Sequence, residues 1–150
     1  MLIETAITCL ALNVYWEGAT INEPIEGLFA VAQVAYRRAN GEPEKVCKVL
    51  SEPKQFSWLN GHTMQVARNG QVQVSAPLNP NHKSIAWAKS VGIARMVILK
   101  LVPIDYSKGA MFYHAGYVSP QWATCPQVRP VAQWGNHKFF SKACTRDQLV

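Results

Sequence analysis

Acidic side chains are scarce in this chain of 150 residues: nine Asp and Glu stand against fifteen Lys and Arg, for a formal net charge of +6. Chemistry that needs a cluster of carboxylates has few residues to draw on. Metal-binding signatures are missing as well. Cys9, Cys47, Cys125 and Cys144 form no CxxC and stand at no zinc-type spacing from a histidine, which excludes zinc-ribbon and thioredoxin readings. His62, His82, His114 and His137 are isolated and no HExxH occurs, so neither a metal nor a cofactor is expected. The apolar run from Ala6 to Trp16 contains Thr8 and Asn13 and is too short to span a bilayer. Glu4 stands where a signal peptide carries basic residues, so neither a cleaved signal nor stable membrane insertion is expected. Lys and Arg are spread from Arg37 to Arg146 with only Arg37 and Arg38 adjacent. Without a basic stripe interleaved with aromatics, nucleic acid is not expected as a partner. No repeat and no low-complexity tract occurs.

What is present reads as a globular protein. Hydrophobic residues make up 49% and charged residues 16%, and the length suits one domain able to bury a core without help from metals or disulfides. The positive balance fits an anionic partner, or equally a solvated surface that serves solubility. Four cysteines allow three pairings; the expectation is buried free thiols in a protein made in a reducing cytoplasm.

The pattern predicts a first helix from Thr5 to Trp16, apolar around most of its circumference and therefore buried on most sides. Glu17 and Gly18 follow directly, and Gly ends helices without steric penalty. A carboxylate at that end meets the negative pole of the helix, which disfavours its charged form and suits a proton donor. A second helix is predicted from Pro24 to Arg38, with Leu28, Val31, Ala32 and Ala35 on one face and Asn40-Gly41 closing it. A third starts at Pro43 and buries Val46, Val49 and Leu50 before Pro53 stops it. Gln55 to Trp58 reads as loop. The alternation of Val66, Arg68, Val72 and Val74 around Asn69-Gly70 predicts a small hairpin. Ser84 caps a long helix from Ile85 to about Leu101 that carries Ile85, Ala88, Ile93, Met96 and Val97, and Pro103 closes it. From Asp105 onward, loops are expected with one short strand near Lys138 to Phe140.

Five blocks stand in order along the chain. They are Ala11-Leu-Asn-Val-Tyr-Trp-Glu17; Glu23-Pro24 with Gly27-Leu-Phe-Ala-Val-Ala-Gln-Val34; Val46-Cys-Lys-Val49 with Gln55-Phe-Ser-Trp58; Gly109-Ala-Met-Phe-Tyr-His114 with Pro120 and Trp122; and Gly135-Asn-His-Lys-Phe-Phe140. Together they resemble the cell wall hydrolase family typified by the spore cortex-lytic enzyme SleB, which also includes bacteriophage lysins. The resemblance implies a mainly helical α+β, lysozyme-like fold and a lytic transglycosylase that cuts between N-acetylmuramic acid and N-acetylglucosamine. It puts the family's catalytic glutamate on Glu17. The chain departs from the family just after that residue, where Ala-Arg-Gly-Glu is replaced by Gly18-Ala-Thr-Ile-Asn22 before Glu23. The hairpin near Asn69-Gly70 looks like an insertion.

A conventional glycosidase sets two carboxyl groups across the scissile bond. Glu4, Glu26, Glu42, Glu44, Glu52 and Asp147 fall on predicted helix surfaces or ends, leaving Glu23 and Asp105 as possible partners for Glu17. For substrate contacts, Phe56, Trp58, Tyr113 and Trp122 offer faces for sugar rings, and Gln55, Ser57 and Asn136 offer hydrogen bonds. Core packing and loop capping are the commoner roles of such residues. His114 and His137 lie inside the family-like blocks and suit hydrogen bonds near the groove. The expected partner is peptidoglycan glycan strands, met by a monomer that is a phage endolysin passing from host cytoplasm to the wall through a holin, or a virion component. Two alternatives differ in class. One is an amidase or endopeptidase using a metal, or Cys47 or Cys125 with His114 and Asp105. The other is an inactive wall-binding or virion structural protein.

Overall fold

The computed structural model describes residues 2–53 and 55–144, and Asp147 lies outside them. Among the described residues, four α-helices and two small antiparallel sheets make an α+β fold. Helix α1 (Leu2–Glu17) is the centre, packed by α2 (Ile25–Arg38), α3 (Pro43–Ser51) and α4 (Ile85–Ile98). Its sequence explains the position. Ile7, Cys9, Leu10, Ala11 and Val14 point in every direction around the helix, and all are at most 2% exposed. A helix that is apolar all round is stable only when neighbours cover it on all sides. Each fully buried Leu, Ile or Val stabilises the fold by roughly 1.5–3 kcal/mol.

The helix limits follow local chemistry. Pro24 precedes α2, whose buried face includes Leu28, Val31, Ala32 and Ala35. Asn40 and Gly41, both at positive φ, turn the chain out of it. Pro43 opens α3, which buries Val46 and Leu50 and leaves Val49 half-buried. The Ser84 hydroxyl accepts the Trp87 N–H at 3.0 Å and caps α4. Helix α4 ends earlier than the pattern predicts. Lys100 takes φ +59° and the Leu101 N–H bonds the Met96 carbonyl at 2.9 Å, so a left-handed cap stops the helix at Ile98 before Pro103 is reached. Its buried stripe is Ser90, Ile93, Ala94, Val97 and Ile98, whereas Ile85 is 83% exposed and Met96 and Ala88 are exposed. Ser90 joins the apolar stripe because its hydroxyl donates to the Ala86 carbonyl at 2.7 Å within the helix.

Strands β1 (Met64–Val66) and β2 (Val72–Val74) form the expected hairpin, with Met64 paired to Val74. In the C-terminal part three strands replace the single one expected: β3 (Phe112–Ala115), β4 (Ala132–Trp134) and β5 (His137–Phe140), in the order β3-β5-β4. The central strand β5 buries His137, Phe139 and Phe140. It packs Phe139 against Ala30, Val31 and Val34 of α2.

The free-thiol expectation is overturned. Cys9 is joined to Cys47, tying α1 to α3 with Cα atoms 5.4 Å apart, and Cys125 is joined to Cys144 with Cα atoms 5.9 Å apart. Helix packing brings the first pair into bonding range across 38 residues of sequence. Among the described residues no helix is long and apolar enough to cross a membrane.

Candidate active site

The end of α1 sets the site. Glu17 is its last residue, and the Gly18 N–H still bonds Val14 at 3.1 Å. Gly18 is there because nothing larger fits: a Cβ would lie 2.8 Å from Leu28 Cδ2 and 3.0 Å from Glu23 Cγ. The chain then makes one 3-10 turn over Ala19–Ile21, passes Asn22 at φ 55°, and returns so that the Glu23 N–H bonds the Gly18 carbonyl at 3.1 Å. The residues that separate Glu17 from Glu23 therefore form a compact turn that brings the two glutamates to one histidine.

That histidine is His137, the first residue of β5. Its Nε2 lies 3.4 Å from Glu17 Oε2 and its Nδ1 lies 3.9 Å from Glu23 Oε1. All three side chains are buried, at 8% exposure for Glu17, 3% for Glu23 and 2% for His137. Glu23 also accepts the Asn136 backbone N–H, at 3.0 and 3.2 Å to its two oxygens. Gly135, at φ 57°, lets the loop close over it: a Cβ there would collide with Glu23 Oε2 and stand 2.7 Å from Pro24 Cδ.

In front of Glu17 lies a groove of about 420 Å³, within the usual range for a small-ligand site. Of the residues singled out from sequence, Gln55, Phe56, Ser57, Tyr113, His114 and Trp122 line it with Glu17. Trp58 and Asn136 do not. The Trp58 indole donates to Asn13 at 2.8 Å, while Asn136 engages Glu23 through its backbone and leaves its side chain exposed.

The two candidate second carboxylates both fall away from the groove. Asp105 is bound by Arg37 Nη2 at 2.7 Å, by the Ser107 hydroxyl at 2.6 Å and by the Gly109 N–H at 2.8 Å, and it lines a different cavity with Gln33 and Arg37. Glu23 sits behind His137 and does not line the groove. Glu17 is the one carboxylate among the described residues that line it. Cys47 and Cys125 are held in disulfides and have no thiol to attack with, so the cysteine-nucleophile alternative fails. Among the described residues no three His, Cys, Asp or Glu side chains are grouped to hold a metal ion.

The model of the family described as Cell Wall Hydrolase matches residues 22–140. The chain belongs to this family. Its ordered blocks implied as much, and membership makes it a peptidoglycan-cleaving enzyme. The match takes in Glu23, Arg38 and His137 and begins just past Glu17. No curated protein and no solved structure matches the chain.

Two residues at or beside the cell wall hydrolase groove, Arg38 and Asn13, carried no signal strong enough to single out from sequence. Arg38 lies over the Phe56 and Phe112 rings, its guanidinium carbon 5.0 and 5.7 Å from their centroids, and donates to the Gln55 side-chain oxygen. Burial lowers its pKa, and Tyr113 and Glu52 only partly offset this. It stays a cation, since arginine's reference value is far above neutral. Asn13, one turn before Glu17 on α1, is fully buried and accepts from Trp58 and from the Tyr113 hydroxyl, the latter at 3.3 Å. Burying an amide unpaired costs about 2–7 kcal/mol, at least as much as burying one large apolar side chain returns, and these bonds offset the part of that cost due to Oδ1. Its Nδ2 has no partner among the described residues. Burial, with Glu17 beside it, raises the Tyr113 phenol well above its usual pKa, so it remains a donor. His114 stacks on Phe140 with centroids 5.3 Å apart, and Trp122 meets the Phe140 ring edge-on, so the groove wall is a packed aromatic layer.

Proposed function

We propose that this enzyme is a lytic transglycosylase that cleaves the β-1,4 bond between N-acetylmuramic acid and N-acetylglucosamine with Glu17 as its single acid and base. The observation that carries the reading is that Glu17 is the one carboxylate among the described residues that line the groove. Activating a water on the opposite face of the sugar would need a second carboxyl group there. A transglycosylase has no such need. The Glu17 carboxyl gives its proton to the glycosidic oxygen as the bond from that oxygen to the muramoyl C1 breaks. The muramoyl 6-hydroxyl then attacks C1, and its proton passes to the Glu17 carboxylate. The product is a 1,6-anhydro sugar, no water is consumed, and Glu17 ends as it began.

The aromatic faces of Tyr113 and Trp122 suit stacking against pyranose rings, and Gln55 and Ser57 suit hydrogen bonds to acetamido groups. Two disulfides favour work in an oxidising compartment, outside the cytoplasmic membrane. This supports an enzyme that acts at the wall, and in our reading it gets there as a phage lysin or in a virion.

Mass spectrometry of digested sacculi tests the reaction. Anhydromuropeptides are the expected product. Muropeptides with a free reducing end, heavier by one water, would make the enzyme a hydrolase, and release of free stem peptides would overturn glycan cleavage altogether.

A further inference from the structure

Glu23 is placed with more care than a spare surface charge requires. Gly18 and Gly135 both leave out a Cβ that would strike it, the Asn136 N–H is aimed at it, and its side chain is 3% exposed. A carboxylate buried so deeply is costly unless a positive group compensates it. The basic side chain that faces it is His137, itself 2% exposed and in the same need. The other neighbours of the imidazole are the Tyr113 and Phe139 rings, 5.8 and 6.4 Å away between centroids, and Glu17. Tyr113 keeps its proton and adds no charge.

On the far side of the ring, Nε2 faces Glu17 Oε2, and Glu17 Oε1 has no protein partner among the described residues. A carboxylic acid holds its proton on one oxygen. A hydrogen-bond donor against Oε2 makes that oxygen the acceptor and moves the acid proton to Oε1, the oxygen left for substrate. We propose that His137 carries a hydrogen on both ring nitrogens with Glu23 as its buried counter-ion, and that its Nε2–H holds the Glu17 proton on the substrate side. Glu23 and His137 are then positioning residues. The match over residues 22–140 contains both. After Glu17 has given up its proton, the same Nε2–H bonds the new carboxylate until the 6-hydroxyl proton returns.

This inference rests on Glu17 as the acid, and the test keeps the two apart. In the ¹⁵N-labelled protein, the His137 ring signals are assigned by their loss in His137→Gln. The wild type should show the two closely spaced nitrogen resonances of a charged ring. Glu23→Gln removes the counter-ion from beside Nδ1, so the two resonances should split as in a neutral ring. In the same variant kcat should fall about 100-fold, with KM within about twofold. A neutral His137 pattern in the wild type would overturn the proposal without any variant. So would a Glu23→Gln enzyme whose kcat per folded molecule is unchanged. Glu17→Gln should leave the charged pattern in place, so an active Glu17→Gln enzyme sinks the catalytic reading and a neutral His137 sinks this one.

Discussion

Asp105 and Glu17 are each carboxylates beside a basic side chain, at opposite extremes of how much bonding capacity the protein has used. The Asp105 side chain is 42% exposed and accepts from Arg37, from the Ser107 hydroxyl and amide, and from the Gly109 amide. Burial alone would raise its pKa, but the bonds from Ser107 and Gly109 and the Arg37 charge outweigh it and hold the carboxyl below its ordinary range. Glu17 is buried to 8% exposure, has one oxygen against His137 and the other without a protein partner among the described residues. A saturated carboxylate with its charge locked on is an anchor. A buried one with a vacant oxygen at a groove is placed to exchange a proton.

The contrast is sharpest under neutral substitution. Glu17→Gln should reduce turnover by about 10²–10⁴-fold, the usual worth of a general acid. Its melting temperature should stay level or rise slightly, because the amide keeps the shape of the carboxyl group and can place no charge at the negative pole of α1. Turnover by dye-labelled sacculi and a thermal melt read both, and substantial remaining turnover would erase the distinction between the two carboxylates.

Gly135→Ala attacks the scaffold behind Glu17 without touching the groove. Its Cβ collides with Glu23 and requires φ 57° of a residue with a side chain. The loss expected is about 1–3 kcal/mol of stability, with a fall in kcat that exceeds the rise in KM. A denaturant melt paired with kinetics at saturating substrate checks this, and a variant of wild-type stability would show that the loop is free to move off Glu23.

Asp105→Asn should have the smallest effect. The pair with Arg37 is partly exposed, so its loss is worth at most about 1 kcal/mol at neutral pH, and kcat should not change. The sign with pH follows from the depressed carboxyl: the wild-type advantage is present above the ordinary aspartate range and is lost as pH falls through the folded-state value. Melting curves of the two proteins should therefore converge in acid. If they diverge there, the Arg37 pair is not the source of the advantage.

The helical part of the molecule was legible because its signals are local. Ser84 caps α4, Pro43 opens α3, Asn40-Gly41 closes α2, and Gly18 follows the last residue of α1. The miss at the end of α4 has the same origin seen in reverse. Lys100 adopts a left-handed conformation that its side chain does not announce, and Pro103 drew the boundary three residues too late. Strands β3 and β4 were missed because they are three or four residues long and half-buried, too short for alternation to register.

The candidate site divides along the same line. Glu17 and six of the residues proposed for substrate contact line one groove, while Trp58 and Asn136 do not. Arg38 and Asn13 went unnoticed because one looks like a solvated helix charge and the other like a polar interruption in an apolar helix. Asp105 looked as eligible as Glu23 while only the count of acidic residues was in view.

From local spacing, then, came the four helices with most of their ends, the small hairpin, and a glutamate at the end of a buried helix, while the cell wall hydrolase family came from the resemblance of the ordered blocks. Which cysteines pair, that Asp105 belongs to Arg37, and that Glu17 and Glu23 share His137 were decided in three dimensions. The reason is separation. His137 lies 120 residues from Glu17, and Asn136 lies 113 from Glu23, so packing β5 against the helices is what brings them together. No local pattern of residues encodes a contact of that range.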